Sequence, residues 1–166
     1  MGDHDAPEAP VRRQLTELGV AHEVMACDPE LADTARFCEA YGIAPEDSAN
    51  TIIVVGKGDP ARYAACVVLA TTRLDVNRVV RRRLGTRKAS FASADETREL
   101  TGMLIGGVTA FGLPPDLPIW VDRRVMDRPR VVLGGGSRSS KLLVAPAELT
   151  KLATVEVVDD LAQPQD

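Results

Sequence analysis

Two glycine-bearing stretches hold the residue types best suited to chemistry in this sequence. Leu133 to Lys141, LGGGSRSSK, sets glycines, serines, an arginine and a lysine after the short apolar run RVVL. Gly106 to Pro114, GGVTAFGLP, brackets a threonine with glycines at 106, 107 and 112. Glycine lets a backbone approach a ligand closely and present its N–H donors, so either loop could hold an oxygen-rich group. Neither is a nucleotide loop. A phosphate-binding loop ends in Gly-Lys-Ser/Thr, the lysine reaching the phosphates and the hydroxyl a magnesium ion, whereas here Ser140 precedes Lys141 and Leu142 follows. The dinucleotide fingerprint spaces its glycines and opens a helix, but Gly134, Gly135 and Gly136 are consecutive and KLLVAP reads as strand. What remains for the first loop is backbone donors beside Ser137 and Arg138. The second suits amides converging on a carbonyl oxygen, in the manner of an oxyanion hole. For each, the alternative is a wide turn between two strands.

Other chemistry is sparse. The two histidines are His4, in an acidic Pro/Ala-rich opening, and His22, which has no G-x-S-x-G elbow to serve. Cys27, Cys38 and Cys66 lack metal-ligand spacing, and an odd number argues against a disulfide framework; they read as small buried apolar residues. No metal and no cofactor is expected. Net charge is −4, yet Arg73, Arg78, Arg81, Arg82, Arg83, Arg87 and Lys88 stand against a single acid, Asp75, in one segment. That basic run is either a solvated helix face or a contact for an anionic partner.

These residues need a scaffold. At 166 residues, 45% hydrophobic and 27% charged, the chain suits one domain. No apolar run approaches the roughly 20 residues of a membrane span, and the opening MGDHDAPEAP lacks the basic start and apolar stretch of a secretory signal; the cytoplasm is the expected compartment. Residues 1–9 read as a disordered leader, 10–160 as the domain and 161–166 as a tail. Pro10 opens a helix with Val11, Leu15 and Leu18 on one face, ended by Gly19, and a strand follows near Val20 to Met25. A helix is expected over Leu31 to Tyr41. Thr51 to Val55 reads as a strand buried on both faces, with Tyr63 to Leu69 its return. Asp75 caps a helix to Leu84, a strand covers Ala89 to Ala92, and Ser93 to Glu96 forms a capping box for a helix to about Leu100. LPIWVD, RVVLGGG, Leu142 to Val144 and Val155 to Val158 read as strands, APAELTKLA as a short helix, and Asp122 as a cap for RRVM. The pattern predicts an α/β or α+β domain with a mixed sheet.

In their order, the two loops are more specific than either alone. TGMLIGGVTAFGLP followed by RVVLGGGSRSSKLLVAPAEL resembles the YbaK/EbsC family, similar to the editing insertion of bacterial prolyl-tRNA synthetases. The likeness extends over SANTIIVV, LATTRLDVNRVVRRRLG and RKASFASADETRELTG. It implies a compact mixed sheet or partly closed barrel flanked by helices. It also implies metal-independent hydrolysis, in trans, of the ester bond of mischarged aminoacyl-tRNA, with the acceptor end as partner, a synthetase as a possible second one, and neither DNA nor membrane. This sequence departs from the family pattern at Asn50, where a lysine usually opens the core strand, and at Ala110, where the loop usually ends in proline.

On that resemblance Gly106, Gly107, Val108 and Thr109 would hold the carbonyl or oxyanion, and Asn50 the terminal ribose or the amino group. Thr51, Phe111, Gly134, Gly135, Gly136, Ser137 and Arg138 would bind the substrate. Arg78, Arg81, Arg82 and Lys88 would take the tRNA backbone, a contact that positions without reading sequence. Asn50 could equally bridge backbone at a strand start, and Thr109 could satisfy a turn. Besides a deacylase, the residues allow a module that binds such a ligand without turnover, or a scaffold with both loops structural.

Overall fold

A computed structural model describes residues 8–165. Its centre is a five-stranded sheet in the order β5-β2-β3-β6-β9, built from β2 (Ala49–Gly56), β3 (Arg62–Leu69), β5 (Ala89–Phe91), β6 (Ile119–Asp122) and β9 (Val155–Val158). β2 runs antiparallel to both β3 and β5, while β6 lies parallel to β3 and to β9. β2 is a central strand with both faces covered, which is why ANTIIVVG is apolar without alternation. On one face Ala49, Ile53, Ala65, Val67 and Val121 join the main core with Phe111, Leu133 and Leu142. On the other, Val54, Ala64, Cys66, Val68 and Trp120 pack under Val76, Val80 and Leu84.

A second sheet, β1-β8-β7, is antiparallel throughout: β1 (Glu23–Ala26), β8 (Ser140–Val144) and β7 (Val131–Gly134). A parallel bridge from Ser48 to Val132 joins it to the entry of β2, so the two sheets enclose the main core as a partly closed barrel. Helices α1 (Ala9–Glu17), α2 (Thr34–Tyr41) and α4 (Ala94–Thr101) flank it. α4 carries the full capping box, Ser93 and Glu96 each accepting the other's backbone N–H. All three cysteines are buried and unpaired, and burial pushes each thiol pKa upward.

Several sequence expectations change. The helix expected from Leu31 is divided: a 3₁₀ turn, Pro29–Leu31, capped by the Asp28 carboxylate, ends before α2 begins at Thr34. The segment after Asp75 opens with a π turn, Val76–Val80, before α3 (Arg81–Leu84), because the Val80 amide reaches five residues back to the Asp75 carbonyl. APAELTKLA is a 3₁₀ stretch, Pro146–Lys151. The tail expected over 161–166 is structural through residue 164: Leu161 and Ala162 are fully buried, and β10 (Ala162–Pro164) pairs antiparallel with β4 (Thr72–Leu74). Apolar burial, not chain position, decides that segment. Of the expected leader, residues 1–7 lie outside the described residues, and α1 begins at Ala9. Asp122 precedes α5 (Arg123–Met126) but makes no side-chain cap; its carboxylate is buried, with Oδ2 3.5 Å from Arg124 Nη1 and Oδ1 unpartnered among the described residues.

Candidate active site

A cavity of about 360 Å³ opens between the two sheets at the start of β2, where Ser48 to Ile53 form one wall. The opposite wall brings in Gly106 and Val108 from the GGVTAFGLP loop and Leu133, Gly134 and Lys141 from β7 and β8. Asp33 and Thr34, at the start of α2, stand at its side. The two loops quoted first therefore meet, and they meet backbone to backbone. Gly136 N–H donates to the Gly107 carbonyl at 2.7 Å. A Cβ on Gly107 would lie 2.6 Å from the Ser137 carbonyl, and one on Gly134 would overlap the Val108 carbonyl oxygen. Gly107 and Gly134 thus serve loop against loop, where a side chain has no room.

The expected site residues divide accordingly. Asn50, Thr51, Gly106, Val108 and Gly134 line the cavity. Gly107 does not, and its N–H is already donated to Leu104 O at 2.8 Å. That leaves the amides of Gly106 and Val108, neither of which donates a hydrogen bond among the described residues, as the donors from the lining residues of this loop. Thr109 and Phe111 are fully buried in or beside the core and do not reach the cavity. Gly135 backs onto Ser140, and Gly136 onto Val11 and Glu8. Ser137 pairs its hydroxyl with that of Ser139. Arg138, expected to hold a phosphate or carboxylate, is occupied within the protein: Nη1 donates to Asp33 Oδ1 at 3.2 Å and Ile105 O at 2.6 Å, and Nε to Pro29 O at 3.0 Å. Its fork fastens Ile105, at the entry of the GGVTAFGLP loop, to the segment before α2.

Among the lining residues that escaped the sequence reading are Asp33, Thr34 and Lys141. Lys141 is the cation among the lining residues. It is 6% exposed, donates to Ala32 O at 2.7 Å and to Gly106 O at 2.8 Å, and lies over the Phe37 ring at 5.3 Å. Burial, the largest effect, pulls its pKa below the usual lysine value; Arg138 adds to this and Asp33 opposes it. The signal was present in the sequence, since strand alternation in SKLLV sends Leu142 and Val144 into the main core and Lys141 to the other face. A lysine at an inward strand position is a charge placed with a purpose or a cost. Asn50, across the cavity, accepts the Thr34 hydroxyl hydrogen on Oδ1, so its amide hydrogens are left for a ligand. The Thr51 hydroxyl is buried without a partner among the described residues. His22 is placed elsewhere, its Nδ1 2.9 Å from Val20 O.

The basic residues lie apart from this cavity. The π turn and α3 cover the opposite face of the five-stranded sheet, with Arg83 over the Trp120 ring at 5.0 Å and paired with Glu156. Arg78 and Arg82 are exposed there, Lys88 is exposed in the turn before β5, and Arg81 Nε donates to Asn77 O at 2.9 Å.

The family model that matches this sequence is that of the aminoacyl-tRNA editing domains. This chain belongs to that family, which matches residues 28–152. Over 153 residues it is 28% identical to the uncharacterized protein YwhH of Bacillus subtilis (strain 168), covering 92% of this chain and 95% of that one. The multifunctional Ser/Thr-tRNA deacylase ProXp-y of Escherichia coli (strain K12) is 24% identical over 128 residues, 74% of this chain and 76% of its own. A crystal structure of a candidate trans-editing enzyme for prolyl-tRNA synthetase superposes with a TM-score of 0.78 at 25% identity, over 95% of this chain and 99% of that one.

Proposed function

We propose that this protein is a trans-acting deacylase that hydrolyses the ester bond between a mischarged amino acid and its tRNA, and that the cavity at the start of β2 is where it does so. The observation that supports it most is that Lys141, Val108 and Asn50 line that one cavity together. An aminoacyl ester is already activated, so hydrolysis needs a placed water and stabilisation of the developing oxyanion. In this reading the Lys141 ammonium and the Val108 N–H face the carbonyl oxygen. The Asn50 amide donates to the terminal ribose, and the Asp33 carboxylate at the cavity side takes the substrate's α-ammonium. The water oxygen bonds to the carbonyl carbon while the carbonyl electron pair moves onto oxygen. Collapse breaks the bond to the ribose oxygen, which takes the proton lost by the water. The neighbouring ribose hydroxyl of the substrate orients that water, a role for which the cavity offers no histidine. Lys141 brings a positive charge to a site whose core strand begins with Asn50.

Purified protein incubated with a panel of mischarged tRNAs tests the proposal. The expected result is accelerated deacylation of at least one pair at micromolar enzyme, with the correctly charged tRNA spared. No acceleration for any pair would overturn it. A second reading, binding without turnover, is favoured by one observation: the Gly107 amide and the Arg138 guanidinium are both engaged inside the protein, leaving few donors. It predicts saturable binding of an amide-linked aminoacyl-adenosine with no product from the ester.

A further inference from the structure

A second cavity, of about 550 Å³, lies at the open edge of the five-stranded sheet. Its floor is Leu74, Val76 and Ala89; its polar rim is Arg73, Asn77, Ser90 and Gln163. One residue, Phe91 on the edge strand β5, lines both this cavity and the one at the start of β2. Phe91 is 56% exposed, while Phe37 and Phe111 are fully buried. β5 is an edge strand that pairs only with β2, and more than half of the Phe91 surface faces solvent.

We propose that the second cavity is a nucleotide subsite, in which the base preceding the terminal adenosine of the acceptor end stacks on Phe91 and its phosphate meets Arg73. This rests on the deacylase reading of the first cavity. The chemistry fits a single strand: bases stack on exposed aromatic rings irrespective of sequence, and a basic groove follows the backbone. Arg73 is exposed and forms no ion pair among the described residues. The one acid in the lining, Asp75, turns its carboxylate to the Arg78 amide at 3.2 Å. Beyond the cavity lie Arg78 and Arg82, exposed on the segment that covers the opposite face of the sheet, and Lys88, exposed in the turn before β5. The subsite thus supplies the path round the sheet edge from the first cavity to the basic segment, which would otherwise face away from it.

Two measurements separate this inference from the reading beneath it. The first is binding of the uncharged RNA trinucleotide CCA, by calorimetry, to the wild type, Phe91→Ala and Arg73→Ala. Phe91→Ala is expected to weaken binding about 5-fold or more, and Arg73→Ala to weaken it with a shallower salt dependence. The second is the ratio of kcat/KM for an aminoacyl-CCA ester to that for the same aminoacyl-adenosine ester. It should exceed about 10 in the wild type, as stacking and a phosphate contact together imply, and fall towards 1 in both variants. Phe91 is exposed, so the fold is not at risk, and an unchanged Tm verifies that. Trinucleotide binding indifferent to both substitutions, or a wild-type ratio near 1, overturns the subsite even if tRNA is deacylated. Binding that depends on Phe91 in a protein that deacylates nothing would leave the subsite standing and remove the deacylase.

Discussion

Lys141 and Asp122 are the two buried charges with shifted pKa values, and they stand in different surroundings. Lys141 donates to two carbonyls and lines the cavity at the start of β2; Asp122 has one carboxylate oxygen without a partner among the described residues and lines neither of the two cavities described above. Burial raises the Asp122 pKa above the ordinary 3.8, with Arg124 opposing it. The folded state therefore binds a proton that the unfolded state has already released, and stability falls as pH rises from the ordinary value through the raised one. Asp122→Asn removes that cost while Arg124 keeps Asp160 and the Ala162 carbonyl. It should raise Tm at pH 7 by about 2–4 °C, equivalent to ~1 kcal/mol, with the gain vanishing below pH ~4, where the carboxyl is protonated in both states. An equal gain at both pH values would show that charge is not the cause. Asn50 was legible in the sequence as a departure within a recognisable strand. Lys141 was in view within SRSSK, yet its role depends on which way β8 faces, and pairing with β7 decides that.

At the scale of elements, the two glycine loops are one construction. Their glycines were read as ligand contacts, but Gly107 and Gly134 act chiefly by letting two backbones touch. A Cβ at Gly134 would meet the Val108 carbonyl, which cannot move without shifting the lining amide. Gly134→Ala should cost about 1–3 kcal/mol by overpacking, read as a lower urea midpoint, and should reduce deacylation more than Gly58→Ala. Gly58 is the control, because its Cβ would make only an ordinary 3.4 Å contact with Pro60 O. Strand positions were largely readable from apolar runs and turn residues, because β2, β3, β6 and β7 are buried and short. The π turn after Asp75 and the division before α2 were not. Both turn on individual hydrogen bonds, Val80 N–H to Asp75 O and Glu30 N–H to the Asp28 carboxylate, that periodicity does not encode.

At the scale of the molecule, the chain closes on itself through a segment that reads as a tail. Leu161 is fully buried in the cluster beneath α3, and β10 covers β4. Leu161→Ala should therefore destabilise by about 2–5 kcal/mol, measured by urea unfolding, whereas a true tail would tolerate it. The fold class was legible because the loops keep a family order across most of the chain. How the basic segment relates to the cavity was not, since only the folded sheet places them on opposite faces. The central claim is that the cavity at the start of β2 performs ester hydrolysis, and the most direct test is single-turnover deacylation of the preferred mischarged tRNA by wild type and Lys141→Met, with Tm measured for both. Loss of an oxyanion-stabilising charge predicts a rate lower by on the order of 100-fold, restored in part by Lys141→Arg; equal rates in folded wild type and Lys141→Met would contradict it.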